Sequence, residues 1–187
     1  LLNHTISREE AIRSFGLDSQ KKTILIIGGS LGARTINNCV MQGLEKIKNS
    51  GVQFIWQTGK FYINEAKACV AQAGNLPMLY TTDFISDMAA AYSAADLVIS
   101  RAGAGSISEF CLLQKPVILV PSPNVAEDHQ TKNALALVNK EAALYVKDSE
   151  ATQKLLDLAI ATVGQADTLT KLSTNIAKLA FKDSANV

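Results

Sequence analysis

Apolar residues in this chain fall into short unbroken runs, and between the runs they recur at helical spacing. The runs Ile24-Leu25-Ile26-Ile27 and Val117-Ile118-Leu119-Val120 are short and rich in β-branched residues, so they read as strands. The same signal predicts strands over Thr23–Ile27, Val52–Gln57, Met78–Thr82, Asp96–Ser100, Val117–Val120 and Leu144–Lys147. Helices are predicted between them. Ser7 with Glu10 has capping-box spacing ahead of Ala11-Ile12, and Ser86 with Asp87 opens Met88–Ala95. Helical stretches over Ser149–Val163 and Gln165–Phe181 finish the chain. Strands that alternate with helices build a parallel sheet, and strands apolar on both faces require helices on both sides. The predicted fold is α/β, a doubly wound, Rossmann-like parallel sheet of six strands.

Length and charge narrow the class. A chain of 187 residues, 48% of them hydrophobic, suits one domain over 1–187. With 18 basic and 17 acidic residues and a net charge of +1, nothing points to nucleic acid or an anionic membrane surface. Cys39, Cys69 and Cys111 are odd in number and far apart, which suits neither a disulfide framework nor a metal site and reads as a reduced, cytosolic protein. The longest apolar runs fall far short of the ~20 residues that cross a bilayer, so neither a transmembrane helix nor a signal peptide is predicted. The opening on Leu1-Leu2 rather than Met reads as a piece cut from something longer.

In a doubly wound sheet ligands bind beyond the carboxyl ends of the strands, so the loops after strands carry the chemistry. The first, Gly28-Gly29-Ser30-Leu31-Gly32, is a glycine-rich turn into a helix, where backbone amides can approach a diphosphate. A tight structural connection with Ser30 as helix cap explains it equally well. An NAD site is unlike this chain, because strand two ends Gln57-Thr58-Gly59 without a ribose-binding carboxylate. The loop also matches Gly-x-Ser-x-Gly, so a serine hydrolase using Ser30, with His129 and either Asp96 or Asp128, is the rival reaction class.

The second loop runs Arg101-Ala102-Gly103-Ala104-Gly105-Ser106 and leads to Glu109. Ser106 and Glu109 have capping-box spacing, worth roughly 1 kcal/mol as a purely structural device. In the functional reading, Glu109 lies in the first helical turn and accepts hydrogen bonds from both hydroxyls of a ribose, while the Gly105 and Ser106 amides face phosphate. The third loop, Pro121 to Ala134, gathers amides and hydroxyls suited to a sugar, with Gln130 the first choice for a hexose. In the fourth, Phe84-Ile85 offers an apolar wall and backbone groups for a flat base, although core residues would read the same way.

Taken in order, GGSLGART (28–35), DFISDMAAAYSAADLVISRAGAGSISE (83–109) and KPVILVPSPNVAEDHQTKNA (115–134) resemble the MurG family across nearly the whole chain. These enzymes transfer N-acetylglucosamine to a lipid-linked muramyl-pentapeptide, the step from lipid I to lipid II in peptidoglycan synthesis. The resemblance implies the C-terminal, donor-binding lobe of a GT-B glycosyltransferase, with the N-terminal acceptor lobe absent from this chain. It implies UDP-N-acetylglucosamine contacts at Gly29, Ser30, Gly32, Ala104, Gly105 and Ser106 for the diphosphate. Phe84 and the Ile85 backbone would meet uracil, Glu109 the ribose, and His129 and Gln130 the sugar. It places no catalytic residue here, because the expected base belongs to the missing lobe, so donor binding without turnover is expected. No resident cofactor or metal is implied, and no Asp-x-Asp pair stands ready for a divalent ion. The whole enzyme would be peripheral on the cytoplasmic face of the bacterial inner membrane, its lipid contact lying in the absent lobe. A non-catalytic nucleotide-binding module is the remaining alternative.

Overall fold

Apolar residues at successive positions let a strand pack helices on both faces, and strand β1 (Thr23–Ile26) is buried along its whole length. Leu25 and Ile27 project into one apolar cluster and Ile24 and Ile26 into another on the opposite face. The computed structural model describes residues 6–28, 33–124 and 129–185, the last five in backbone only. Within these, β1 is followed by β2 (Gln53–Gln57), β3 (Leu79–Thr82), β4 (Leu97–Ser100), β5 (Val117–Leu119) and β6 (Leu144–Tyr145). All pairings are parallel and the order is β3-β2-β1-β4-β5-β6, with the strand order reversing between β1 and β4. This is the doubly wound Rossmann order, whose ligand crevice opens at that reversal.

Helices cover both faces. On one side α1 (Arg8–Ser14) packs on α5 (Met88–Ala94), and α6 (Ala104–Leu113) packs on α9 (Ala166–Ala185). On the other, α2 (Arg34–Gln42) packs on α8 (Ala151–Val163), with α3 (Leu44–Asn49) and α4 (Ile63–Ala73) beside them. Helix α7 (His129–Val138) joins β5 to β6. Ser7 caps α1 by accepting from the Glu10 amide at 3.1 Å, and Asp87 caps α5 by accepting from the Ala90 amide at 3.1 Å, as their spacing predicts. None of the described helices is long and apolar enough to cross a membrane.

The amino end of the sheet is held by a fork. Arg8 donates from Nε and Nη2 to the two oxygens of Asp96, at 3.0 and 2.8 Å, and Asp96 also accepts from the Thr23 amide at 2.9 Å. Asp96 precedes β4, whereas His129 opens α7 beyond the carboxyl end of β5, so the two lie at opposite ends of the sheet. The hydrolase arrangement built on Asp96 is thereby overturned. Its other members, Ser30 and Asp128, lie outside the described residues.

Candidate functional site

The turn after β4 opens α6 without a side-chain cap. Gly103 is the N-cap, with extended backbone at φ −70° and ψ 146°, and the first intrahelical bond is donated by Ile107 to the Gly103 carbonyl at 3.0 Å. The Ala104, Gly105 and Ser106 amides therefore precede the helical ladder and carry the positive end of its dipole. A Cβ added at Gly103 or Gly105 would meet nothing within 4 Å, and Ala104 and Gly105 are exposed, so the start of the helix is open to solvent.

This start corrects the expected capping box. With Gly103 as cap, Ser106 is already inside α6 and Glu109 stands in its second turn, beyond reach of the helix opening. Ala104 is a strong helix former and the extended Gly103 ends the preceding turn without strain, so the helix begins three residues earlier than a serine cap would place it. Glu109 is half-buried, and its Oε1 accepts from the Tyr92 hydroxyl of α5 at 2.5 Å. Tyr92 is only 3% exposed and meets Phe110 edge-on at 6.1 Å. Burial first, and then the bond to Glu109, drive its phenol well above the usual tyrosine range, so it remains a donor.

Gln130 has a bracing role that its position alone did not reveal. It is buried at 8% exposure, and its Oε1 accepts from the Ala102 amide at 3.2 Å and the Ser122 amide at 2.9 Å. One side chain of α7 thus ties the turn after β4 to the turn after β5. Asn133 Nδ2, one helical turn on, donates to the Ala102 carbonyl at 3.2 Å. His129 is exposed at the start of α7.

Arg101 adds a third tie. Its Nη1 donates to the Val120 and Pro121 carbonyls at 3.2 and 3.3 Å and to Asp148 Oδ1 at 2.6 Å. Asp148 Oδ2 in turn accepts from Thr35 Oγ1, in the first turn of α2, at 3.0 Å. The segments after β1, β4, β5 and β6 are in this way joined at one end of the sheet.

At the β3 side, Phe84 and Ile85 part company. Phe84 is 59% exposed and is no core residue, whereas Ile85 is buried. The Ile85 amide, expected to face a base, instead donates to Gln57 Oε1 at 2.9 Å. Gln57 closes β2 and is buried, so its carbonyl needs a donor, and this amide supplies it. Gly29, Ser30 and Gly32 of the first loop lie outside the described residues.

Residues 23–187 match the model of the glycosyltransferase family 28 C-terminal domain. The chain belongs to that family. Over its whole length it is 82% identical to the UDP-N-acetylglucosamine–N-acetylmuramyl-(pentapeptide) pyrophosphoryl-undecaprenol N-acetylglucosamine transferase of Phocaeicola vulgatus, covering 50% of that protein. It is 68% identical to the transferase of the same name from Bacteroides fragilis, covering 100% of this chain and 50% of that one. The crystal structure of Acinetobacter baumannii MurG matches with a TM-score of 0.75 at 30% identity, over 95% of this chain and 50% of that chain. The chain spans about half the length of the curated relatives it matches. Its fold is that of the C-terminal lobe of the GT-B glycosyltransferases.

Within this family 28 domain, sequence reasoning assigned no task to Tyr92, Gln57, Arg101 or Asn133. Tyr92 carried a usable signal, being a hydroxyl-bearing aromatic in an otherwise small-residue helix, where a buried ring needs a polar partner. Gln57 and Asn133 carried none, because a lone amide side chain at a strand end or within a helix has no signature of its partner.

Proposed function

We propose that this chain is the donor-binding half of a transferase that moves N-acetylglucosamine from UDP-N-acetylglucosamine to the lipid-linked N-acetylmuramyl-pentapeptide of peptidoglycan synthesis. The names carried by its relatives support this reading. The observation that carries it is the uncapped, exposed start of α6, whose first amides precede the helical ladder, together with a carboxylate held one turn further along the same helix. An acceptor hydroxyl would attack the anomeric carbon, the bond to the diphosphate would break, and negative charge would collect on the departing UDP. Amides of Ala104, Gly105 and Ser106 are suited to meet that charge, which preorganised donors stabilise without reorganising.

The remaining contacts follow from chemistry. Glu109 takes the ribose hydroxyls, and Phe84 covers one face of uracil. With the Ile85 amide given to Gln57, the base contact left to that residue is its carbonyl, accepting from the N3–H of the ring. His129 reaches the sugar, while the buried Gln130 serves it by holding two loops in register. Ser30 and its glycines complete the diphosphate site. The reading needs no resident cofactor. Deprotonation of the acceptor and contact with the cytoplasmic membrane face belong to the other half of the enzyme, so the isolated chain binds donor without turnover.

Thermal melting tests this. At a hundred times its dissociation constant, UDP-N-acetylglucosamine should stabilise the fold by about 2.7 kcal/mol. That shifts the midpoint by roughly 5–10 °C for a domain of this size. Glu109→Ala should melt several degrees lower on its own, because the buried Tyr92 hydroxyl loses its acceptor, and should lose most of the ligand response. No response to UDP, or an equal response to NADH, would sink the reading, and sugar transfer by the chain alone would overturn its division of labour.

A further inference from the structure

Glu109 has the right chemistry for a ribose, but a glutamate on a helix face has three rotatable bonds and no reason to wait in one place. Ordering such a side chain costs rotamer entropy. In this structure the ordering is already done by Tyr92, whose hydroxyl donates to Glu109 Oε1 at 2.5 Å across the α5–α6 contact. The ring is held in turn by burial and by its edge-on packing with Phe110. At 3% exposure Tyr92 is walled off from any ligand, so it acts only through Glu109.

A carboxylate offers about four lone-pair directions, and Tyr92 takes one of them. That leaves Oε2 and the remaining direction on Oε1 for a cis-diol, whose two hydroxyls need two acceptors at a fixed mutual angle. Helix α5 also begins directly after the segment that bears Phe84 and Ile85.

We infer that Tyr92 is a positioning residue for the ribose of the nucleotide, holding the Glu109 carboxylate in the orientation that accepts both sugar hydroxyls. The inference rests on the donor-binding reading above. It makes Tyr92 a determinant of ribose over deoxyribose selectivity rather than of nucleotide binding in general. Preorganisation of this kind raises affinity by removing an ordering cost, without adding a contact.

The test is calorimetric titration of the chain with UDP and with 2′-deoxyuridine 5′-diphosphate. The wild-type protein should prefer UDP. Tyr92→Phe removes one oxygen and keeps the ring, so the fold should persist. It should weaken UDP by roughly three- to tenfold, the scale of the ordering cost of one long side chain, while the deoxy compound changes little. Glu109→Ala should abolish the preference, and adding Tyr92→Phe to it should cost nothing further, because the two residues act as one unit. Glu109→Asp, too short to meet both partners, should mimic Tyr92→Phe without touching the tyrosine's packing.

The alternative outcomes separate cleanly. If Tyr92→Phe and Glu109→Asp keep the wild-type preference while Glu109→Ala loses it, the tyrosine's role is overturned and donor binding stands. Equal weakening of both nucleotides by Tyr92→Phe also overturns it, since that is a general structural effect. If Glu109→Ala binds UDP as the wild type does, the donor-binding reading falls together with the inference.

Discussion

Arg101 Nη1 lies 2.6 Å from Asp148 Oδ1, so an arginine that closes β4 is paired with an acid that follows β6, two strands away. Both side chains are mostly buried, at 19% and 17% exposure, and Asp148 also holds Thr35. Removing one partner would strand a largely desolvated charge.

Asp148→Ala should therefore destabilise the chain by about 2 kcal/mol, below the 3–5 kcal/mol of a fully buried pair because some solvent screening remains. Urea unfolding measures this. Arg101→Met combined with Asp148→Ala should cost less than the sum of the single changes, since neither charge is then left unpaired. Strict additivity would show that the two do not interact.

Two glycines make opposite predictions. A Cβ at Gly28 would sit 2.7 Å from the Ala33 side chain and 2.8 Å from its amide nitrogen, and backbone cannot swing aside as a side chain can. Gly28→Ala should cost roughly 1–3 kcal/mol, the range for overpacking. At Gly105 the same Cβ meets open space, and alanine is the better helix former. Gly105→Ala should leave stability unchanged or improved by up to about 1 kcal/mol, yet weaken UDP binding at least several-fold, because the methyl group occupies the approach to the amides. Melting with and without UDP distinguishes the two. Unaltered UDP affinity in Gly105→Ala would remove the diphosphate from that helix start.

Cys39 links stability to pH. Burial, reinforced by the charge of Asp148, raises its thiol to about 11. A thiol in the unfolded chain titrates near 8.5, so between pH ~8.5 and ~11 the unfolded state gives up a proton that the native state keeps. The stabilisation is fully present below that window and is lost as pH rises through it. Urea midpoints at pH 7.5, 9 and 10 should fall more steeply for the wild type than for Cys39→Ala. Groups common to both proteins cancel in that comparison, and parallel slopes would contradict the assignment.

The strands were legible because each is a short local run of mostly apolar, β-branched or aromatic residues, and all six lie within two residues of their predicted bounds. The caps at Ser7 and Asp87 were legible for the same reason, since a cap is decided by residues three positions apart. The cap at Ser106 obeyed the same local rule and failed. A glycine can cap a helix as a serine can, and Ala104 favours the earlier start, so capping-box spacing alone did not decide where α6 begins.

The site divides along the same line. Its glycine-rich turns, its carboxylate and its polar third loop stand in the sequence as residue types at the ends of strands, and their resemblance, taken in order, to the MurG family is what implied a nucleotide sugar. That Glu109 answers to Tyr92, that Gln57 takes the Ile85 amide, and that Gln130 braces two turns instead of simply facing a sugar were decided by tertiary structure. Each of those bonds joins residues between 8 and 28 positions apart, so its existence depends on which helices the sheet order brings side by side. Spacing along the chain determines what an element is, and packing across the sheet determines which of its polar groups are already taken.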